Sequence, residues 1–135
     1  DISTWDVSNV TNMESMFYRA TSFNQSIGNW DVSSVKKMEN MFREAENFNQ
    51  DISNWNVSSV WSMNRMFQEA EKFNGDISSW DVSSVTRMMA MFGSAADFNQ
   101  DLSGWNVSNV TSCNNFYKNA NSWALPKPNF TNCTP

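Results

Sequence analysis

Histidine is absent from this 135-residue chain, and glycine, proline and cysteine are scarce. Without histidine the chain lacks the commonest general base and the commonest metal ligand of proteins. All prolines lie in the last ten residues, so low-complexity disorder is not expected before the C-terminus. No apolar run approaches the roughly 18 residues that a membrane-spanning helix needs, so we expect no membrane insertion.

Positive charge is also sparse, because nine basic residues are scattered through a chain of net charge −5. Nucleic-acid binding needs clustered Lys and Arg side chains, so no nucleic-acid partner is expected. Neither a G-x-S-x-G motif nor a phosphate-binding glycine loop is present, which argues against an enzyme and against a bound cofactor or metal. A carboxylate pair of the glycosidase kind is the remaining catalytic alternative, but it would need a pocket that raises one pKa.

What the chain has instead is an internal repeat of 25 residues, with boundaries 1–25, 26–50, 51–75, 76–100 and 101–125. Columns of identical residues recur at this spacing: Trp5, Trp30, Trp55, Trp80 and Trp105, and likewise Val7, Val32, Val57, Val82 and Val107. Met63 and Met66 also have counterparts in most units, as has Phe73. Five such units predict a stack in which each unit covers its neighbour.

Each unit has the pattern of a strand followed by a helix. Residues 52–58 alternate apolar and polar around Trp55 and Val57, as in a half-buried strand. Val60, Met63 and the apolar residues up to Ala70 are spaced by three and four, as on a helix. The expected fold is therefore an α/β solenoid, a right-handed stack of five strand–helix units with a parallel sheet on its concave side.

The stretch Ile52-x-x-Trp55-x-Val57-x-x-Val60 resembles the leucine-rich-repeat signature L-x-x-L-x-L-x-x-N. The whole unit from Phe48 to Ala70 is similar to the BspA-like bacterial surface repeat of about 25 residues, and this resemblance covers residues 1–125. It implies a secreted or cell-surface protein, often an adhesin or lipoprotein built from many repeats. It implies no catalytic activity.

In the leucine-rich-repeat arrangement, polar strand residues would lie outward on the concave sheet, where such stacks usually bind. The candidate binding face comprises Asp6, Ser8, Asn29, Asp31, Ser33, Asn54, Asn56, Ser58, Asp81, Ser83 and Asn106. The competing interpretation is a polar ladder that only keeps the sheet soluble, and the unvarying Ser column favours it. Trp61 replaces Thr or Lys at the start of the third helix and is a candidate contact on the convex side.

The fifth unit departs from the repeat, and residues 126–135 follow it as an expected C-terminal cap. Cys113 and Cys133, the only cysteines, both lie in this region, so we expect a disulfide between them. A disulfide indicates an oxidising compartment and thus secretion or surface display. Because Asp1 begins in full register, we also expect the chain to be part of a longer array.

The sequence therefore predicts a module that recognises an extracellular protein or glycan through its concave sheet. The alternative is a purely structural spacer within a larger surface protein.

Overall fold

A computed structural model describes all residues 1–135, and it contains no helix and no strand of more than one residue. The only β-pairing is a set of isolated parallel bridges that joins Asn12, Lys37, Ser62, Arg87 and Ser112 in succession. The prediction of an α/β solenoid with a concave parallel sheet, in the manner of a leucine-rich repeat, is therefore wrong.

The backbone is instead a succession of tight turns that recur every 25 residues. We call the stretches 1–25, 26–50, 51–75, 76–100 and 101–125 coils one to five. In coil three, the turns are closed by N–H groups that donate to the carbonyl three residues earlier, at Trp55, Val60, Met66, Gln68, Ala70 and Phe73. The other four coils repeat these bonds at the same positions. Such i to i+3 bonds are typical of β-turns.

Alternate N–H groups of the segment predicted to be a helix donate to the next coil, and the N–H groups between them close turns within the segment. The N–H groups of Met63, Arg65 and Phe67 donate to carbonyls of coil four at 2.8–2.9 Å. Arg65 and Glu69 have φ angles of 55° and 58°, which an α-helix excludes. A left-handed non-glycine residue costs about 1–2 kcal/mol, and the bonds to the neighbouring coil offset this cost.

The core consists of side-chain columns that run along the stack. Phe42, Phe67 and Phe92 are fully buried, and consecutive rings in this column have centroids 5.6 Å apart. A second Phe column packs beside it, with Phe67 and Phe73 stacked at 4.0 Å. Burial of these rings supplies most of the apolar contact between coils.

The prediction that the Trp column belongs to the core is confirmed in the inner coils, where Trp55 is only 3% exposed. Its indole Nε1–H donates to the carbonyl of Ile27 in the preceding coil at 3.1 Å. Trp80 and Trp105 donate in the same way to Ile52 and Ile77. Trp5, with no coil before it, is 54% exposed. Each inner Trp therefore fills the core and also ties two coils together.

Candidate functional site

The predicted disulfide is confirmed and fastens the end of the chain to coil five. Cys113 and Cys133 are bonded, with their Cα atoms 5.8 Å apart. The Phe130 ring lies edge-on to Phe116 at 4.9 Å, and Asn132 Nδ2 donates to the carbonyl of Ser108. Residues 126–133 therefore lie across the apolar end of coil five.

The residues of the predicted concave face lie at the surface, but no sheet carries them. The Asp or Asn side chain at the sixth residue of each coil instead folds back on the Ser two residues later, whereas Asn29 and Asn54 form no such bond. Asp31 Oδ1 accepts from the Ser33 N–H at 3.0 Å and also from its hydroxyl. Asn56 accepts from Ser58 in the same way, at 3.1 Å and 2.6 Å. These side chains act as local turn formers, the usual role of Asx motifs.

A second set of the same motif lies at the start of coils three, four and five. Asp51, for example, accepts from the backbone N–H and the hydroxyl of Ser53 at 2.9 Å and 2.6 Å. Hydrogen bonds from the Ser hydroxyl, and then from the Ser backbone N–H, lower the carboxyl pKa in both sets. The affected residues are Asp6, Asp31, Asp51, Asp76, Asp81 and Asp101. Lowered values keep these groups ionised at neutral pH, which does not suit a general acid.

An asparagine ladder connects the coils near their C-terminal ends. Asn24 Oδ1 accepts from the N–H of Asn49, Asn49 from Asn74, and Asn74 from Asn99, at 2.9–3.0 Å. Asn99 in turn accepts from Ala124 and Leu125. The column is Asn in coils one to four, and its side chains hold each coil to the next one.

Most of the columns that vary from coil to coil lie in residues 11–19 of each coil, together with nearly constant Met and Phe columns; the fourth, twenty-first and twenty-second residues of each coil vary as well. We call the surface formed by these segments the variable face. Its columns hold side chains of different charge and size at equivalent positions; one column reads Thr11, Lys36, Trp61, Thr86, Thr111, and another reads Tyr18, Arg43, Gln68, Gly93, Lys118. An open concavity of about 320 Å³ lies on this face, lined by Arg65, Gln68, Ser94, Asn115 and Lys118 among others. Variation between equivalent positions was the signal in the sequence that could have identified this face.

Trp61 lies on the variable face and is half-buried. Its ring lies between two cations, with Lys37 Nζ 5.1 Å and the Arg87 guanidinium carbon 5.6 Å from the ring centroid. These residues come from the coils before and after it. Such contacts are typically worth about 0.5–1 kcal/mol each at exposed sites. Beside Trp61, the buried Ser62 hydroxyl donates to Glu39 of coil two.

The structure offers little for catalysis or metal binding. No group of three or more Cys, Asp or Glu side chains is placed to hold a metal ion. The concavities are open and polar, and the structure contains no helix suited to crossing a membrane.

A family model described as "Mycoplasma protein of unknown function, DUF285" matches residues 1–89 and 58–133. The chain belongs to this family. No curated protein and no solved structure matches the chain. The two overlapping DUF285 matches fit a chain of repeats and support a bacterial repeat family, but they do not support a leucine-rich-repeat assignment.

Proposed function

We propose that this DUF285 chain is a repeat module of a secreted or cell-surface protein, and that it recognises an extracellular protein or glycan through its variable face. The observation that carries this proposal is the division of polar residues between two roles. Columns that hardly vary hold turns and coils, as those of Ser33 and Asn74 do. Most of the columns that vary lie in residues 11–19 of each coil, as expected for positions that are selected for contacts.

The chemistry of the variable face suits a polar partner. Arg65 and Lys118 line its concavity, and no acidic side chain lines it. Trp61 adds an aromatic surface between Lys37 and Arg87, and Trp and Arg are enriched among residues that dominate binding energy. Seven of the nine basic residues of the chain lie in residues 11–19 of their coils, together with four Glu residues.

Extracellular placement is supported by two features. The Cys113–Cys133 disulfide is of a kind that persists in oxidising compartments. The resemblance of residues 48–70 to BspA-like surface repeats points the same way. Five coils about 5 Å apart give a strip roughly 20 Å long. A strip of this length offers less area than the roughly 800 Å² per partner of a stable interface. Longer arrays would therefore bind through avidity.

A binding screen against extracellular matrix proteins and glycans tests the proposal with two charge-matched variants. The first changes Lys37, Arg65 and Arg87 on the variable face to Gln. The second changes Asn29, Asn54 and Ser79, outside that face, to Asp. Each variant lowers the net charge by three, so a general charge effect would appear in both.

Loss of binding in the first variant alone is the expected result. Loss of binding in the second variant alone would indicate that the binding site lies on the face that carries Asn29, Asn54 and Ser79. If the unmodified chain binds no probe, the module is a spacer. Melting temperatures of both variants show whether each retains its fold.

A further inference from the structure

The C-terminal end of coil five presents a row of backbone N–H groups without acceptors. In coil four, the N–H groups of Met88, Ala90, Phe92 and Ser94 donate to carbonyls of coil five at 2.7–3.0 Å. The equivalent groups one coil later belong to Cys113, Asn115, Tyr117 and Asn119. None of these four N–H groups has an acceptor within the chain. Since the coils repeat, they point away from coil four, out of the end of the stack.

A row of donors alone selects its ligand. The edge of a β-strand alternates N–H and C=O groups. If an extended peptide were added here, its own N–H groups on that side would find no acceptors in the row. A group that only accepts hydrogen bonds has no such conflict, and concave arrangements of backbone N–H groups are known anion sites.

The surrounding charge is of the matching sign. Asn115, Tyr117 and Lys118 line a depression of about 190 Å³ beside Pro135, with no acidic side chain in its lining. Lys118 takes part in none of the ion pairs of the chain. Lys127 Nζ lies 5.0 Å from the Tyr117 ring centroid. Lys118 therefore lies beside the unpaired N–H groups of Asn115 and Tyr117, whereas Lys127 Nζ already donates to the Trp123 carbonyl at 3.0 Å.

We infer that this end of coil five binds an oxyanion, namely a carboxylate, sulfate or phosphate group. The N–H groups of Asn115 and Tyr117 donate to it, and the Lys118 ammonium supplies the charge. The disulfide-bonded tail covers Cys113 but leaves Asn115, Tyr117 and Asn119 exposed. Because the site lies at one end of the variable face, it deepens the proposed function, on which it rests, by naming a ligand chemistry.

Amide NMR spectra of the ¹⁵N-labelled chain test this site directly. Sodium sulfate, sodium phosphate and sodium acetate are titrated separately, with the ionic strength held constant by sodium chloride. The amides of Asn115 and Tyr117 should shift and saturate with at least one anion, and the three salts distinguish the possible sources. Lys118→Gln should weaken binding about fivefold or more, since it removes the charged donor. Lys72→Gln, at an exposed lysine of coil three outside the variable face, should leave the affinity unchanged.

Shifts that never saturate, or an affinity that Lys118→Gln does not alter, would overturn the inference. Shifts of the same amides with protein concentration, in the absence of anion, would also overturn it, because the carbonyl edge of a second copy would then occupy the row. The titration uses no macromolecule, so it is independent of the binding screen. Anion binding without any macromolecular ligand would contradict the proposed function alone, whereas a macromolecule bound without saturable shifts would contradict only the oxyanion site.

Discussion

Replacing Trp55 by Ala should strongly destabilise the stack, and the structure allows the effect to be estimated. The side chain is 3% exposed, and burial of about 200 Å² at 25 cal/mol per Å² is worth about 5 kcal/mol. Its Nε1–H also satisfies the Ile27 carbonyl, which would otherwise be left unpaired. Part of the loss is recovered by relaxation around the cavity, so we expect the free energy of unfolding to fall by about 4–5 kcal/mol.

Trp5 provides the matched control, because it occupies the same column at the end of the stack. It is 54% exposed, and its indole N–H has no acceptor. It stacks on Trp30 with centroids 6.4 Å apart. Trp5→Ala should therefore cost about 1–2 kcal/mol, in proportion to the smaller buried area.

Calorimetry and guanidinium unfolding followed by near-ultraviolet circular dichroism measure both variants. Trp55→Ala should lower the melting temperature by roughly 10 °C or more, and Trp5→Ala by only a few degrees. Equal losses in the two variants would contradict the idea that stability comes from contacts between coils. A loss below about 1 kcal/mol for Trp55→Ala would show that the inner Trp column is not core.

Acid should destabilise the fold. Hydrogen bonds from Ser lower the pKa values of carboxyl groups such as those of Asp31 and Asp51 below the unfolded value of about 3.9. The stability that these groups contribute is present above the unfolded pKa and is lost as the pH falls through the folded pKa values. Asp31→Asn keeps the acceptor, as Asn56 does, and should flatten the fall in melting temperature below about pH 5; an unchanged profile would contradict this. Reduction of the Cys113–Cys133 disulfide should cost about 3 kcal/mol and raise amide exchange in coil five first, whereas uniform exchange would argue against a local role. Asn74→Ala should cost about 1–2 kcal/mol in denaturant unfolding, while Asn74→Asp, which retains the oxygen, should cost less.

The sequence was sufficient to predict the core but not the backbone that carries it. The repeated columns correctly indicated that Trp55, Val57 and Phe73 are buried, and the position of the two cysteines indicated their disulfide. The apolar spacing of Met63, Met66 and the residues up to Ala70 suggested a helix. Successive tight turns bury residues at the same spacing, so the pattern cannot separate the two backbones.

The residues at the left-handed positions gave no warning of these turns. Glycine is the usual residue at positive φ, yet Arg65, Glu69 and Ser94 hold such positions here. A ten-residue helix is marginal on its own, and the neighbouring coil offers a complete set of carbonyls. The choice between helix and turns is therefore made by contacts between coils, which a local pattern does not contain.

The two roles of the candidate face could not be distinguished from the sequence for a related reason. Asp-x-Ser and Asn-x-Ser are turn-forming patterns as well as polar surface patterns. In residues 1–8 of each coil, side chains such as Asp6 and Ser8 hold the backbone, so the sixth residue is always Asp or Asn and the eighth is always Ser. In residues 11–19, backbone N–H and C=O groups of adjacent coils hold each other, as Met63 does with Arg87. Exposed side chains there are less needed to hold the backbone, which explains why they can vary between coils.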